Sequence, residues 1–184
     1  MLIDALRLGA IKVLGATDEL PKNIRNLNVP VLGKDEAVFR RLPSKVRLVN
    51  GLGSVRATPK RQEIFEKFKN RGYVFMTVVH PSAVIAGDVV LEEGAQVMAG
   101  AVIQTGSRIG KNTIINTRVS VDHDCRIGAH VHLAPGVVLS GGVTVEDGTH
   151  IGTGAVVIQG VWIEKNSFIR AQSLIKENIE SLAG

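Results

Sequence analysis

Residues 116–136, NTRVSVDHDCRIGAHVHLAPG, set three histidines and two aspartates among small and branched apolar residues. Those side chains suit three kinds of chemistry. Neutral imidazoles that converge can hold a metal such as zinc. A histidine beside a carboxylate can move a proton near neutral pH, the carboxylate fixing its tautomer and stabilising the imidazolium. Alternatively, the polar groups are the outer skin of a regular scaffold. Which of them the fold brings together decides the matter.

The scaffold is legible as a six-residue ruler. From Ala83 the chain reads AVIAGD, VVLEEG, AQVMAG, AVIQTG and so on to SLIKEN, sixteen blocks over residues 83–178. The third position is Ile, Leu or Val in all sixteen, and the first is Ala, Val, Ser, Thr or Cys. Positions one and three share one side of a short strand while position two points the other way. The last three positions, rich in Gly, Asp and Asn, turn the chain. A unit this short cannot bury its apolar side alone, so coils must stack above and below it in a β-helix.

Composition bounds the rest. The 184 residues are 45% hydrophobic and 21% charged, with no apolar run near the roughly 18 residues of a membrane span. No signal peptide opens the chain, and the single cysteine, Cys125, excludes an intrachain disulfide, so a cytoplasmic setting is expected. An aromatic content of 4% and dispersed basic residues argue against a nucleic-acid surface. Charge is uneven: residues 1–80 carry a net +8 and residues 81–184 a net −3. A basic first part suits an anionic small molecule.

Residues 1–80 read as a partial α/β domain. MLIDALRLG has helical spacing, AIKVLGATD and KVRLVNGLGS read as strands, TPKRQEIFEKFKNRG as a helix and YVFMTVV as a further strand. Such alternation predicts a parallel sheet, whose ligands sit at strand ends. Asp18 and the pair Gly51 and Gly53 are therefore candidate substrate contacts. Residues 81–178 form the β-helix and 179–184 a tail.

The uninterrupted blocks resemble the hexapeptide-repeat acyltransferases, whose left-handed parallel β-helix places three blocks, hence 18 residues, in each triangular coil. HPSAVI, IINT, VDHDC, VHLAPG and LSGGVTV narrow the resemblance to sugar acetyltransferases that join a small nucleotide-binding domain to such a helix. These include the nucleotide-amino-sugar N-acetyltransferases and the sialic acid O-acetyltransferases. The resemblance implies acetyl-CoA as co-substrate, no metal, and a nucleotide-linked sugar as acceptor. It makes His123 the general base, Asp124 its carboxylate partner and Asn116 a positioning group. His132 would contact acetyl-CoA near its reactive end, Gly141 would donate its N–H to the thioester carbonyl with Gly142 beside it, and Gly152 and Gly154 would line the pantetheine arm. Arg170 and Ala171 stand where the family has glycines beside the coenzyme. The family's opening strand and histidine-bearing glycine turn, and its Gly-x-Pro-Ala tail, have no counterpart in these residues.

With 18 residues per coil, the outward positions of one face are Val84, Val102, Ser120, Val138, Val156 and Leu174, five of six apolar. An exposed apolar strip marks an interface, so a homotrimer packed through this face is expected, sharing its sites between subunits. His123 falls at one edge of the face; Asn116 lies at the other, with His132 near it. His130 and His150 read as surface residues and Cys125 as core. Two other readings compete. One is a non-catalytic trimeric scaffold. The other is a metalloenzyme of the γ-carbonic anhydrase type, which needs a His pair five residues apart where this chain offers spacings of seven, nine and two.

Overall fold

The structure, a computed structural model, describes residues 11–20, 28–53 and 59–180. The predicted helix over residues 1–9 lies outside them. From Val78 onward the chain is a three-sided prism of two-residue strands. One six-stranded sheet stacks the strands that begin at Val84, Val102, Ser120, Val138, Val156 and Leu174. A five-stranded sheet runs from Val90 to Trp162, and another six-stranded sheet from Val78 to Phe168. Every pairing is parallel and shifted by eighteen residues, as in Ser120 with Val138, Arg126 with Thr144 and His132 with His150.

The inward positions explain why the stack holds. Ile103, Ile109, Ile115, Leu133, Leu139, Ile151 and Ile163, all third positions, are fully buried. Each such side chain contributes about 1.5–3 kcal/mol by leaving water. Ser107, Thr113 and Thr149 are inward first positions, and their hydroxyls donate to the carbonyls of Asp122, Gly128 and Glu164. The same oxygens accept the N–H groups of Cys125, Val131 and Ser167 from the coil above, so no buried hydroxyl there is left unpaired. The sixth position of most blocks bends into the left-handed region. Glycine fills it at eight blocks, while Asn112, Arg118, Asp124, His130, Asn166 and Gln172 adopt φ between 55° and 59°.

The first part is built around β1 (Ala16–Thr17), which pairs in parallel with β2 (Val31–Gly33), and α1 (Pro59–Lys69). Two expected strands shrink. KVRLVNGLGS keeps only a parallel bridge from Leu48 to Phe75, and YVFMTVV divides after that bridge. Val78–Val79 already pairs with Gln96–Val97, so stacking starts before residue 81. At the other end Ile179 bridges Ile163 and still belongs to the prism. Phe65, Phe68, Tyr73, Phe75 and Val38 form a separate apolar cluster.

Two expectations are corrected here: His130 and His150 are buried rather than at the surface. The outward ladder Gln96, Ile114, His132 and His150 is buried along its length. Gln96 donates to the Asn50 carbonyl at 2.8 Å, and Phe65 of α1 packs edge-on against His130 at 5.5 Å. A position that points away from one core has entered a second layer. His130 is also fixed in tautomer: Asn112 uses its Oδ1 to accept from Asn50, so its Nδ2 donates to His130 Nδ1 at 2.9 Å. The proton then sits on Nε2, 3.5 Å from Glu66, and burial lowers the His130 pKa. The apolar face beginning at Val84 stays open, with Val84, Val138 and Leu174 exposed.

Candidate active site

His123 stands in the turn between the apolar face and the face bearing Arg126. Its two aspartates do different jobs. Asp122 accepts the His123 backbone N–H at 2.7 Å, which closes the turn. Asp124 takes the left-handed conformation that Asp tolerates, φ 59°, and swings its Oδ2 to within 2.9 Å of His123 Nδ1. That bond, opposed by desolvation and helped by the charges of Asp122 and Asp124, raises the His123 pKa above its ordinary value. The pair is open: the His123 side chain is 51% exposed and that of Asp124 72%.

The other ring nitrogen, Nε2, has no partner among the described residues. It lies against Gly141, eighteen residues on and one coil above. A Cβ built at Gly141 would come within 2.4 Å of Nε2 and 2.6 Å of Cε1, so only glycine leaves the ring its place. The Gly141 N–H likewise has no acceptor among the described residues, whereas the Gly142 N–H donates to the His123 carbonyl at 2.8 Å. A proton acceptor on an exposed ring therefore sits against a buried glycine, Gly141, whose amide is unused. Chemically, such a donor can serve the oxygen of an acyl thioester and such an imidazole can accept a proton from its nucleophile.

Asn116 and His132 form a second pair at the opposite edge of the apolar face. Asn116 Oδ1 accepts from the Thr117 N–H at 2.7 Å, which directs Nδ2 to His132 Nε2 at 3.1 Å. His132 Nε2 is then an acceptor and its proton rests on Nδ1. His132 is only 6% exposed, so Asn116 is the member of the pair that reaches the edge. Above them, Gly152 passes so close to the next coil that a Cβ would meet the Ala171 nitrogen at 2.5 Å. Gly154 turns at φ 68° and donates to the Pro135 carbonyl. Ala171 is exposed beside Arg170.

The structure thus gathers His123, Asp124, Gly141 and Gly142 at one edge, and Asn116, His132, Gly152, Gly154 and Ala171 at another. Asp18 follows β1 and accepts the Leu20 N–H at 2.7 Å, while Gly51 and Gly53 lie in an exposed loop before α1. Sequence reasoning missed Gly106. A Cβ there would sit 2.3 Å from Asp124 Oδ1, so this glycine makes room for the carboxylate. The signal was available, because Gly106 lies eighteen residues before Asp124. Among the described residues, no three His, Cys, Asp or Glu side chains converge as metal ligands. No helix among them is long and apolar enough to cross a membrane.

This is a left-handed parallel β-helix, and the bacterial transferase hexapeptide family (six repeats) matches it at residues 106–141. The chain is 37% identical to PerB of Caulobacter crescentus, solved with CoA and GDP-perosamine. That likeness covers 97% of this chain and 84% of PerB, with a TM-score of 0.87. The acetyltransferase domain of PglB from Neisseria gonorrhoeae is 29% identical over 98% of this chain and 85% of that one, also with a TM-score of 0.87. The same domain has been solved in complex with acetyl coenzyme A, at a TM-score of 0.83 and 26% identity. GDP-perosamine N-acetyltransferase of Escherichia coli O157:H7 is 37% identical over 101 residues, 55% of this chain and 46% of that protein. The chain spans about half the length of the curated relatives it matches. It belongs to the hexapeptide-repeat sugar acetyltransferase family.

Proposed function

We propose that the chain transfers the acetyl group of acetyl-CoA to the amine of an amino sugar carried on a nucleotide. The observation that carries this reading is the open His123 Nε2 beside the unused Gly141 N–H. His123 Nε2 takes the proton of the attacking amine, and Asp124 holds the resulting imidazolium through Nδ1. As charge grows on the thioester oxygen, the Gly141 N–H stabilises it; the C–S bond then breaks, and the CoA thiolate leaves as the thiol, taking the proton back from His123 Nε2. Acetyl-CoA supplies the activated acyl group. The likeness to PerB, a structure containing CoA and GDP-perosamine, supports this choice of donor and acceptor class.

The working form is a homotrimer packed through the apolar face. Such packing sets the edge with His123 of one copy against the edge with Asn116 of the next, giving each site both halves. The exposed Val84, Val138 and Leu174 support this arrangement. The test is acetyl-CoA turnover with nucleotide-linked amino sugars, free amino sugars and no acceptor, alongside light scattering. Rapid turnover only with the nucleotide-linked amine, by a particle three times the chain mass, is expected. Equal turnover without acceptor, or a monomer, would overturn the reading.

A further inference from the structure

The two edges that flank the apolar face carry opposite charge low in the prism. On the His123 edge the turns at 86–88, 104–106 and 122–124 hold Asp88, Asp122 and Asp124, all exposed, with no lysine or arginine. On the Asn116 edge the turns at 80–82, 98–100 and 116–118 hold no carboxylate and a single arginine, Arg118. That arginine sits at φ 55°, a conformation glycine adopts freely, and its column uses Gly100 below it and Gly136 and Gly154 above. The backbone does not call for arginine there. Its stem runs down the edge, since a Cβ on Gly100 would meet Arg118 Cγ at 3.4 Å. Among the described residues, nothing pairs with the exposed guanidinium.

Asp88 makes the matching approach at the other edge. Its Oδ2 accepts the Thr105 hydroxyl at 2.7 Å and the Gly106 N–H at 2.9 Å, which carries the carboxylate up to the level of Gly106. Those two bonds hold the Asp88 carboxyl below the usual carboxylate range. No donor from another described residue reaches Oδ1. Gly100 and Gly106 bracket one strand, Val102–Ile103, so both charges come to the height of that strand. Asp124 is a poorer match: it stands a coil higher, and its Oδ2 is committed to His123. Within one chain the width of the apolar face separates Arg118 from Asp88.

We propose that Arg118 of one copy pairs with Asp88 of the next across each subunit interface. This rests on the trimeric reading above, in which the Asn116 edge of one copy meets the His123 edge of its neighbour. A rotation axis along the prism keeps the coils of all copies level, and level edges oppose these two charges. The apolar strip cannot set that level by itself. Val84, Val102, Val138 and Val156 all lie on it, so a slip of one coil, ~4.8 Å, would still bury valine against valine. A slipped contact does not close into a ring; it propagates as an open chain of copies. It would also set His123 against a turn other than the one bearing Asn116. An ion pair at one height removes that freedom, as a lone polar position fixes register in a coiled coil. Both residues are positioning residues and touch neither acceptor nor coenzyme.

Sedimentation across protein concentration tests the pair in Arg118→Glu, Asp88→Lys, the double variant and an equal mixture of the two single variants. Each single reversal is expected to raise the concentration of half-dissociation about tenfold or more. The double variant should return it to within about threefold of the unsubstituted chain. The mixture should recover as well, because mixed trimers oppose unlike charges at all but one interface. Asp88→Asn keeps an oxygen for Thr105 and Gly106 and loses only the charge, so it should weaken association and flatten its salt dependence. A double variant no better than the singles, or singles and Asp88→Asn that assemble like the unsubstituted trimer, overturns the inference and leaves the trimer standing. Recovery in the double variant without recovery in the mixture places the contact inside one chain and overturns it too. An unsubstituted chain that sediments as a monomer overturns the trimeric reading and the pair with it.

Discussion

Two turns of the prism are built alike and do different things. At 122–124 and at 164–166 the last residue, Asp124 or Asn166, sits at φ 59°. Each points an oxygen to within 2.3 Å of where a Cβ would stand on a glycine one coil below, Gly106 or Gly148. Between the flanking residues stands His123 in one turn and Lys165 in the other. The backbone and the stacking glycine are common property of the scaffold. What distinguishes the first turn is a carboxylate instead of an amide, an imidazole for it to orient, and Gly141 above that ring. The scaffold supplies position and three side-chain choices supply chemistry.

Breaking the distinction at its centre has the largest effect. His123→Ala should lower kcat by about 10²–10⁴-fold, the usual worth of a general base, whereas Lys165→Ala should leave it within twofold or so. Steady-state acetyl transfer measured on both proteins checks the contrast, and comparable losses would remove His123 from the mechanism. Next comes Gly141→Ala. Its methyl would displace the imidazole from beneath the amide donor, and a kcat loss of about 10²-fold is expected with thermal stability little changed.

Asp124→Asn turns the first turn into a copy of the second. The base must be unprotonated to act, so activity rises with pH through the His123 pKa. Asp124 raises that pKa, and the substitution should therefore move the acidic limb of the kcat profile to lower pH. Its plateau should fall by roughly ten- to a hundredfold, because neutral Asn no longer stabilises the imidazolium. A limb that moves to higher pH would contradict the geometry. The smallest effect sharpens the comparison best. Gly106→Ala and Gly148→Ala should each destabilise the chain by about 1–3 kcal/mol in thermal unfolding, since both add a side chain at positive φ. Only Gly106→Ala should also reduce kcat, by about tenfold, because only it displaces the carboxylate that we propose orients the base.

The prism was readable because one short period governs it: an apolar third position repeated sixteen times has no other use than a stacked interior. The same period placed Gly141 over His123. What stayed hidden was whatever the period does not encode. A second position reads as outward whether water or another layer meets it, so the buried His150 looked like surface. Left-handed backbone at Arg118, His130 and Gln172 carries no glycine or Asx signature. Arg61 sits among other charges of the PKRQEIFEKFK helix, and nothing local marks its guanidinium as enclosed. The weaker strands at Leu48 and Phe75 failed for a related reason, since each depends on partners distant in sequence.

The eighteen-residue register also governs how such a chain can change length. Within the prism each coil stacks only on the one above and the one below, and His123 meets Gly141 only because the interval between them is one full circuit. Eighteen residues inserted between them would lift the glycine a further ~4.8 Å along the axis and leave every coil intact. Six residues would also preserve the apolar rhythm, and the protein would still fold. They would, however, carry the glycine round to the neighbouring corner, away from the imidazole. In this fold, heredity can edit the site by counting, and silence it without unfolding anything.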